Sequence, residues 1–451
     1  MDGTTMQLID DFDVQPDELA YTDTLTGLGN NRRFLRKLEN TLAEREDDPV
    51  PFAIGVIDID GFKPINDLFG KSAGDAILKQ MSLRLQAVVG DEATVARIGG
   101  DEFGVILPST FHEKSAAEFG RTLTEILAAP FDVGERTARL AASVGLSLFS
   151  EAADSAETLI TKAEAALYAS KKISRGGFVV YTHEMEEAAR KAAVIEQALR
   201  RAVSAGEVEP HFQPIVDLKT RQTIGFECLS RWVDRDLGFV SPAVFIPIAE
   251  ERGIITAMSK LVLRKAAEAA AQWPDHLFLA FNLSPSQLVD GNTGLQILSI
   301  LEKAGFPPNR LEVEITETGV MTDPASASKI IDDLRSAGIR VSLDDFGTGQ
   351  SSLGRLRDIQ FDKLKIDRAF IAELLSDRPS EHIVKAILAM SEGLGMDVVA
   401  EGIEDEAIVE RLIEFGCANG QGYYFGKPAD ELDTLGYLRD SFRGAMRVKS
   451  A

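Results

Sequence analysis

Glu227, Asn282, Glu314, Asp344, Asp345, Lys365, Glu401 and Gln421 share one feature of placement: each stands at the end of, or within, a short apolar run. If those runs are parallel strands of one barrel, their ends meet on one face, and that face carries the chemistry. Five carboxylates and an amide gathered there would repel one another, and divalent cations are the simplest compensation. Adjacent Asp344 and Asp345 suggest one acid bridging two cations while its neighbour holds one. Lys365 beside such a pair is placed to orient or deprotonate a water. Two cations clamping a phosphodiester would support in-line hydrolysis. A lone acid at a strand end is most often a helix N-cap, and Asp345 and Asn282 each fit that role too. Capping does not account for six strands ending in the same way. A second set is smaller. Asp58 closes an apolar run, and Asp101 lies in the turn Gly99-Gly100-Asp101-Glu102. Brought together, two such carboxylates hold cations over a nucleoside triphosphate. A Gly-Gly turn by itself is only a turn, so this pair alone leaves both readings open.

The elements that must position these residues fall into two groups. Residues 18–182 alternate strand and helix patterns: apolar runs at 52–60, 94–98, 103–107 and 138–149, and helical patterns at 68–88 and 156–174. Hairpins mixed with βα crossovers predict an α+β domain with an antiparallel-containing sheet and helices on one side. Residues 195–445 repeat strand then helix, with strands expected at 223–230, 277–282, 310–314, 340–344, 363–366, 398–401 and 420–425. A further strand at 210–218 forms a hairpin with the first of these. Seven or eight such units over this length predict a (β/α)8 barrel of the TIM type. Between them, Met185, Ala188, Ala192, Ile195, Leu199 and Ala202 recur at helical spacing until Gly206, which predicts a helix joining two domains, its linker part at 183–194.

The chain has 451 residues, two of them cysteines and five histidines. This excludes a disulfide framework and a zinc site of usual spacing, so any metal must be held by carboxylates, favouring Mg2+, Mn2+ or Ca2+ over zinc. A net charge of −23 repels polyanions, so nucleic-acid binding is not expected. No apolar run approaches the ~20 residues that span a bilayer, and residues 1–17 read as a short acidic tail without signal-peptide character. A cytoplasmic protein without membrane partners is expected.

Glu227-Cys228-Leu229 followed by Ser230-Arg231-Trp232 resembles the EAL signature, with Cys in place of Ala. NLSPSQL, EVEITET, LDDFGTGQSSL, LKIDRAFI, VVAEGIE and GQGYYFGKP between residues 282 and 428 are similar to segments of the same family. The resemblance implies a cyclic di-GMP phosphodiesterase yielding linear pGpG, with two cations per site held by Glu227, Asn282, Glu314, Asp344, Asp345 and Glu401. It further implies Lys365 as activator of water, Gln421 beside that water, and Arg231 at a substrate phosphate. Gly347, Thr348 and Gly349, with Ser351 and Ser352, match a loop that couples dimerisation to activity, anchored by Glu317.

Gly99-Gly100-Asp101-Glu102-Phe103 resembles the GGDEF signature, as do DTLTGLGNNRRF (23–34), DIDGFKPINDLFGKSAGD (58–75) and ALYASKKISRGG (166–177). The resemblance implies a diguanylate cyclase that joins two GTP molecules into cyclic di-GMP. Asp58, the Ile59 carbonyl and Asp101 would hold the cations; Asn66 and Asp75 would read guanine; Lys63, Lys171 and Arg175 would meet phosphates. Lys71 also falls in the binding segment, where a histidine is common. Asp101 or Glu102 would assist deprotonation of the 3′-hydroxyl. One GTP per domain implies a homodimer. Gly61, Ser174 and Gly176 also depart from the family pattern, but none is a cation ligand. The product-inhibition motif RxxD would fall on Gly90-Asp91-Glu92-Ala93 and is absent. Two alternatives stand beside a bifunctional enzyme: a first domain that only senses GTP, and a non-catalytic nucleotide-binding scaffold.

Overall fold

The computed structural model describes residues 20–44, 51–90, 93–107, 113–134, 136–149, 155–173, 175–347 and 359–439. Contacts divide the chain into two compact units, Met1–Arg190 and Lys191–Ala451.

The first unit is built on β1 (Gly29–Asn30), β2 (Ala53–Asp60), β3 (Thr94–Arg97), β4 (Glu102–Leu107), β5 (Phe131–Val133), β6 (Arg136–Ala138), β7 (Ala141–Leu148) and β8 (Phe178–Val180). Six of these form one sheet in the order β1-β3-β4-β2-β7-β8, while β5 and β6 pair separately. Side chains alternate across a strand, and β2 is apolar on both faces. Ala53, Ile57 and Ile59 join a core with the helices Lys71–Val89 and Glu113–Leu127. Phe52, Ile54 and Val56 join another with the helices Asn31–Ala43 and Ala156–Ile173. The sheet is therefore covered by helices on both faces, not on one as the strand–helix order suggested. Two other expectations are corrected. The helix expected over 68–88 breaks at Gly70, whose φ of 84° ends Phe62–Phe69 and starts Lys71–Val89. The run 138–149 is split between β6 and β7.

The second unit contains β9 (Val208–Asp217), β10 (Thr223–Asp234), β11 (Gly238–Val240), β12 (Phe278–Leu283), β13 (Leu311–Thr316), β14 (Arg340–Phe346), β15 (Lys363–Ile366), β16 (Asp397–Ala400) and β17 (Asn419–Gln421). β10 and β12 to β17 run parallel in sequence order. β9 pairs antiparallel with both β10 and β17 and closes the barrel at eight staves. The strand expected as an addition at 210–218 is thus one of the eight. Its direction follows from a tight turn: the Asp217 carboxylate accepts from the Thr220 backbone N–H at 2.7 Å and its hydroxyl at 2.9 Å, leaving no room for a crossover helix. The strand expected at 420–425 ends at Gln421.

Alternation decides what faces the barrel interior. Phe226 and Cys228, Leu279 and Phe281, Val313 and Ile315, Val341 and Leu343, and Leu364 and Ile366 all pack in the main core beneath the helices. The residues between them therefore point inward: Glu227, Ala280, Glu314, Ser342 and Lys365. Cys228, the one departure in the EAL-like signature, accordingly faces away from the interior, and burial pushes its thiol pKa up.

The helix His183–Ala205 spans the division between the units. Of its predicted stripe, Leu199 and Ala202 are buried, Met185, Ala192 and Ile195 partly so, and Ala188 is exposed. Only the C-terminal half of the stripe is a core face.

Arg310 fastens the barrel's outer layer. It is 8% exposed, and its guanidinium donates to the carbonyls of Leu277 at 2.9 Å and Pro274 at 3.0 Å, with longer bonds to Ala270 and Trp273. Arg310→Met strands those carbonyls and is expected to cost about 2–4 kcal/mol of stability. Urea unfolding measures it, and an unchanged midpoint would remove Arg310 from this role.

Candidate functional site

The barrel site is organised around one ammonium group. Lys365 is 1% exposed. Its Nζ lies 2.6 Å from Glu401 Oε1, 2.9 Å from Glu314 Oε2, and 3.6 Å from both Glu227 Oε2 and Asp344 Oδ1. Burial pushes Lys365 down, but the four acids outweigh it and hold it well above the ordinary lysine range. One cation cannot satisfy all of them. Burial, then mutual repulsion, drives Glu401 up to about 8, and Glu314 well above and Asp344 above the usual carboxylate range. Glu227 is the exception. Burial raises it most, but Lys365 and the donors on Gln421 and Asn282 together hold it below the usual value. Asn282 Nδ2 donates to Glu227 Oε1, and Gln421 Nε2 to Glu227 Oε2, both at 2.7 Å. The register supports this grouping: Asn282 lies beside Glu314, Glu227 beside Gln213, and Thr316 beside Asp344.

Asp345 requires a special backbone. In a regular strand, adjacent Asp344 and Asp345 would point to opposite faces. The register of β14 against β15 shifts between Leu343 and Phe346, and Asp345 has φ 56°. This bulge with a left-handed residue, which Asp tolerates better than most, re-aims the side chain at a cost of order 1 kcal/mol. Burial, then Asp344 and Asp367, raises Asp345 to about 6. Glu317, buried, accepts from the Gly347 backbone N–H at 3.3 Å. Gly347 has φ 97° and a Cβ there would stand 3.0 Å from the Phe370 ring. Thr348, Gly349, Ser351 and Ser352 lie outside the described residues.

A cavity of about 270 Å³ opens over this cluster, lined among others by Glu227, Asp344, Arg368, Glu401, Gln421 and Tyr423. Arg231 is half-buried and donates to the Ser230 carbonyl at 2.9 Å. Gln213, Arg368 and Tyr423 went unnoticed in the sequence. Gln213 sits on the antiparallel stave, outside the repeat that exposed the others, and the remaining two are loop or helix-end residues without a spacing signal. Arg368 pairs with Glu404 at 2.8 Å and packs over Gly402, where a Cβ would lie 2.3 Å from the arginine stem.

Among the described residues, no three acidic, histidine or cysteine side chains already stand as a ligating array. The acids close on the lysine instead. The donor set nonetheless fits hard divalent cations: it is all oxygen, and Glu314 Oε1 and Gln421 Oε1 are buried without a hydrogen bond.

The first unit shows the same arrangement on a smaller scale. Asp58 on β2 lies directly opposite Glu102 on β4, and the Ile59 N–H donates to the Asp101 carbonyl at 3.3 Å. Lys171 Nζ stands 2.7 Å from Asp58 Oδ1, so this lysine meets an acid rather than open solvent. Burial, then Asp58 and Asp101, raises the Glu102 pKa. Gly99 makes room for Glu102, whose Oε2 would lie 2.5 Å from a Cβ there. Arg97, which carries no motif signal, braces the turn: it donates to the Gly100 carbonyl at 2.6 Å and to Asp23 at 3.2 Å. Asn66 packs on Gly74, its Oδ1 only 2.0 Å from where a Cβ would be. Lys63, Lys71, Asp75 and Arg175 are exposed.

Both units match known domain families. The family model for the EAL domain matches residues 196–428, and that for the diguanylate cyclase GGDEF domain matches 20–177. The chain belongs to the EAL-domain family and carries a GGDEF domain ahead of the barrel. It is 34% identical over 415 residues to the bifunctional diguanylate cyclase/cyclic di-GMP phosphodiesterase MucR of Pseudomonas aeruginosa, covering 91% of this chain and 60% of that one. It is 31% identical over 413 residues to the cyclic di-GMP phosphodiesterase PdeR of Escherichia coli, covering 91% and 62%. Among solved structures, the PaMucR phosphodiesterase in complex with c-di-GMP is 35% identical with a TM-score of 0.51, covering 52% of this chain and 98% of that one. A Vibrio cholerae LapD S helix-GGDEF-EAL structure shares the fold over 90% of this chain and 96% of that one, at TM-score 0.60 and 19% identity. The chain spans about half to three-fifths of the length of the first curated relatives it matches. No helix among the described residues is long and apolar enough to cross a membrane.

Proposed function

We infer that the barrel hydrolyses cyclic di-GMP to linear pGpG, and that the first domain binds GTP and joins two molecules of it into cyclic di-GMP. The observation that carries the first part is the Glu227–Asn282–Glu314–Asp344–Glu401–Gln421 cluster, whose acids outnumber their one cation and leave the buried Glu314 Oε1 without a partner. In this reading Glu227, Asn282, Glu314, Asp344, Asp345 and Glu401 hold two Mg2+ or Mn2+ ions. When bound, these supply Lewis-acid activation of water and phosphate. Asn282 commits its N–H to Glu227 and turns its carbonyl oxygen to the cation. Lys365, fixed at the centre as an ammonium, donates to the attacking water and orients it. Gln421 offers that water an acceptor, and Arg231 receives a substrate phosphate.

In the first domain, Asp58, the Ile59 carbonyl and Asp101 hold cations. Lys63, Lys71, Lys171 and Arg175 receive phosphates, Asn66 and Asp75 the guanine edge. Asp101 or Glu102 assists loss of the 3′-hydroxyl proton. Synthesis then requires two chains, each presenting one GTP, in the cytoplasm where these nucleotides occur. Chromatography of products after separate incubation with GTP and with cyclic di-GMP tests both halves. With the barrel disabled by Glu227→Ala, GTP should yield cyclic di-GMP, and adding Asp101→Ala should lower that yield about 10²–10³-fold. No product from the barrel-disabled protein would make the first domain a GTP sensor instead.

A further inference from the structure

We propose that Gln213 is a positioning residue that sets which end of the Gln421 amide faces the reacting groups. This deepens the phosphodiesterase reading and rests on it. The chain of reasoning starts at a backbone carbonyl. Gly426 O can only accept, so Gln213 turns its Nε2 toward it, at 3.2 Å. Gln213 Oε1 must then face the other way, where it accepts from Gln421 Nε2 at 3.1 Å. The same Gln421 nitrogen donates to Glu227 Oε2 at 2.7 Å. Both amide hydrogens are thereby committed. Gln421 Oε1 is left buried with no hydrogen-bond partner among the described residues. Turning the Gln421 amide over would set its oxygen against two acceptors, Gln213 Oε1 and Glu227 Oε2.

The carbonyl at the start of this relay is itself held in place. Phe212 and Ala429 exchange backbone hydrogen bonds at 2.7 and 3.0 Å, and a Cβ on Gly426 would stand 2.9 Å from the Pro214 ring. The Gly422–Ala429 segment is therefore seated directly on β9. A glutamine is required at 213. Glutamate would oppose an oxygen to the Gly426 carbonyl, and a side chain without polar atoms would leave one Gln421 hydrogen unclaimed. The antiparallel stave, which carries no cation-holding residue, contributes through this orientation.

The test is a double-mutant cycle on full-length protein, with cyclic di-GMP turnover in Mn2+. Gln213→Met should lower kcat about 10–100-fold, the range for residues that orient a site's ligands, with KM changed far less. In a Gln421→Met background it should have almost no further effect, because its action passes through Gln421. Multiplicative losses, or wild-type kcat in a folded Gln213→Met protein, would overturn the proposal. A second measurement needs no turnover. Hydrogen exchange of the Gln421 side-chain amide, read by NMR, should be about tenfold faster in Gln213→Met; equal rates overturn the proposal. If Gln213→Met does not fold, Gln213→Glu is read for the same loss of kcat and faster exchange. Wild-type protein inactive on cyclic di-GMP but with an exchange rate that responds to Gln213 would sink the phosphodiesterase reading and leave the positioning role standing.

Discussion

Glu227→Ala should abolish cyclic di-GMP hydrolysis, with a loss of about 10³-fold or more. Glu227 is where three restraints meet: the Asn282 and Gln421 amides each donate to one of its oxygens at 2.7 Å, and Lys365 stands 3.6 Å away. Removing a group aimed at the reacting centre typically costs ~10²–10³-fold. Loosening the residues that orient its neighbours costs a further ~10–100-fold. Alanine does both, since it also frees the Asn282 and Gln421 amides that Glu227 holds. Glu227→Gln keeps the volume but opposes an amide N–H to one of those donors, so it should recover little activity. Product chromatography decides the matter, and unchanged turnover in Glu227→Ala would discard the site.

Lys365→Met should damage stability as well as activity, and the damage should be reversed by divalent cation. Among the described residues, the lysine is the one positive group that pairs with Glu227, Glu314, Asp344 and Glu401, and all five are buried or nearly so. Removing one side of a buried ion pair costs about 3–5 kcal/mol because the remaining charge is stranded. For a domain of this size that lowers Tm by roughly 6–20 °C. A cation that binds only the folded form adds about 2.7 kcal/mol at a hundred times its dissociation constant. Thermal melts of Lys365→Met with and without Mn2+ should therefore differ by more than those of wild type, whose lysine already supplies part of the compensation. A mutant with wild-type Tm, or one that Mn2+ fails to rescue, would show that the cluster is not a cation site. Hydrolysis should stay lost even in the rescued protein, which separates the lysine's part in the chemistry from its part in stability.

The residues at strand ends were legible because a parallel barrel converts sequence periodicity directly into position. Each β/α repeat delivers one strand end to the same face, so Glu227, Asn282, Glu314, Asp344, Lys365 and Glu401 announce themselves by rhythm. Gln213 has no such rhythm, since its strand runs the other way. Arg97 and Arg368 act from a turn brace and a helix start, where spacing carries no signal. The first domain's two-sided sheet was misread because an apolar run looks the same whether one face or both are covered. The helix at 183–205 showed the converse: its stripe is continuous in sequence but buried only over its last turns.

Taken alone, the amino-acid order specified two domains, the barrel, and the acids and lysine that populate its mouth. These follow from local alternation and composition, which every segment carries within itself. Three-dimensional packing decided what those groups do to one another. It closed four carboxylates on one ammonium, bent the backbone at Asp345 so that neighbouring acids share an end of the barrel, and turned the Gln421 amide through Gln213, far away in the chain. Electrostatic coupling and hydrogen-bond direction depend on distances between residues as far apart in the chain as Gln213 and Gly426, and distances of that kind are set only when the chain has folded.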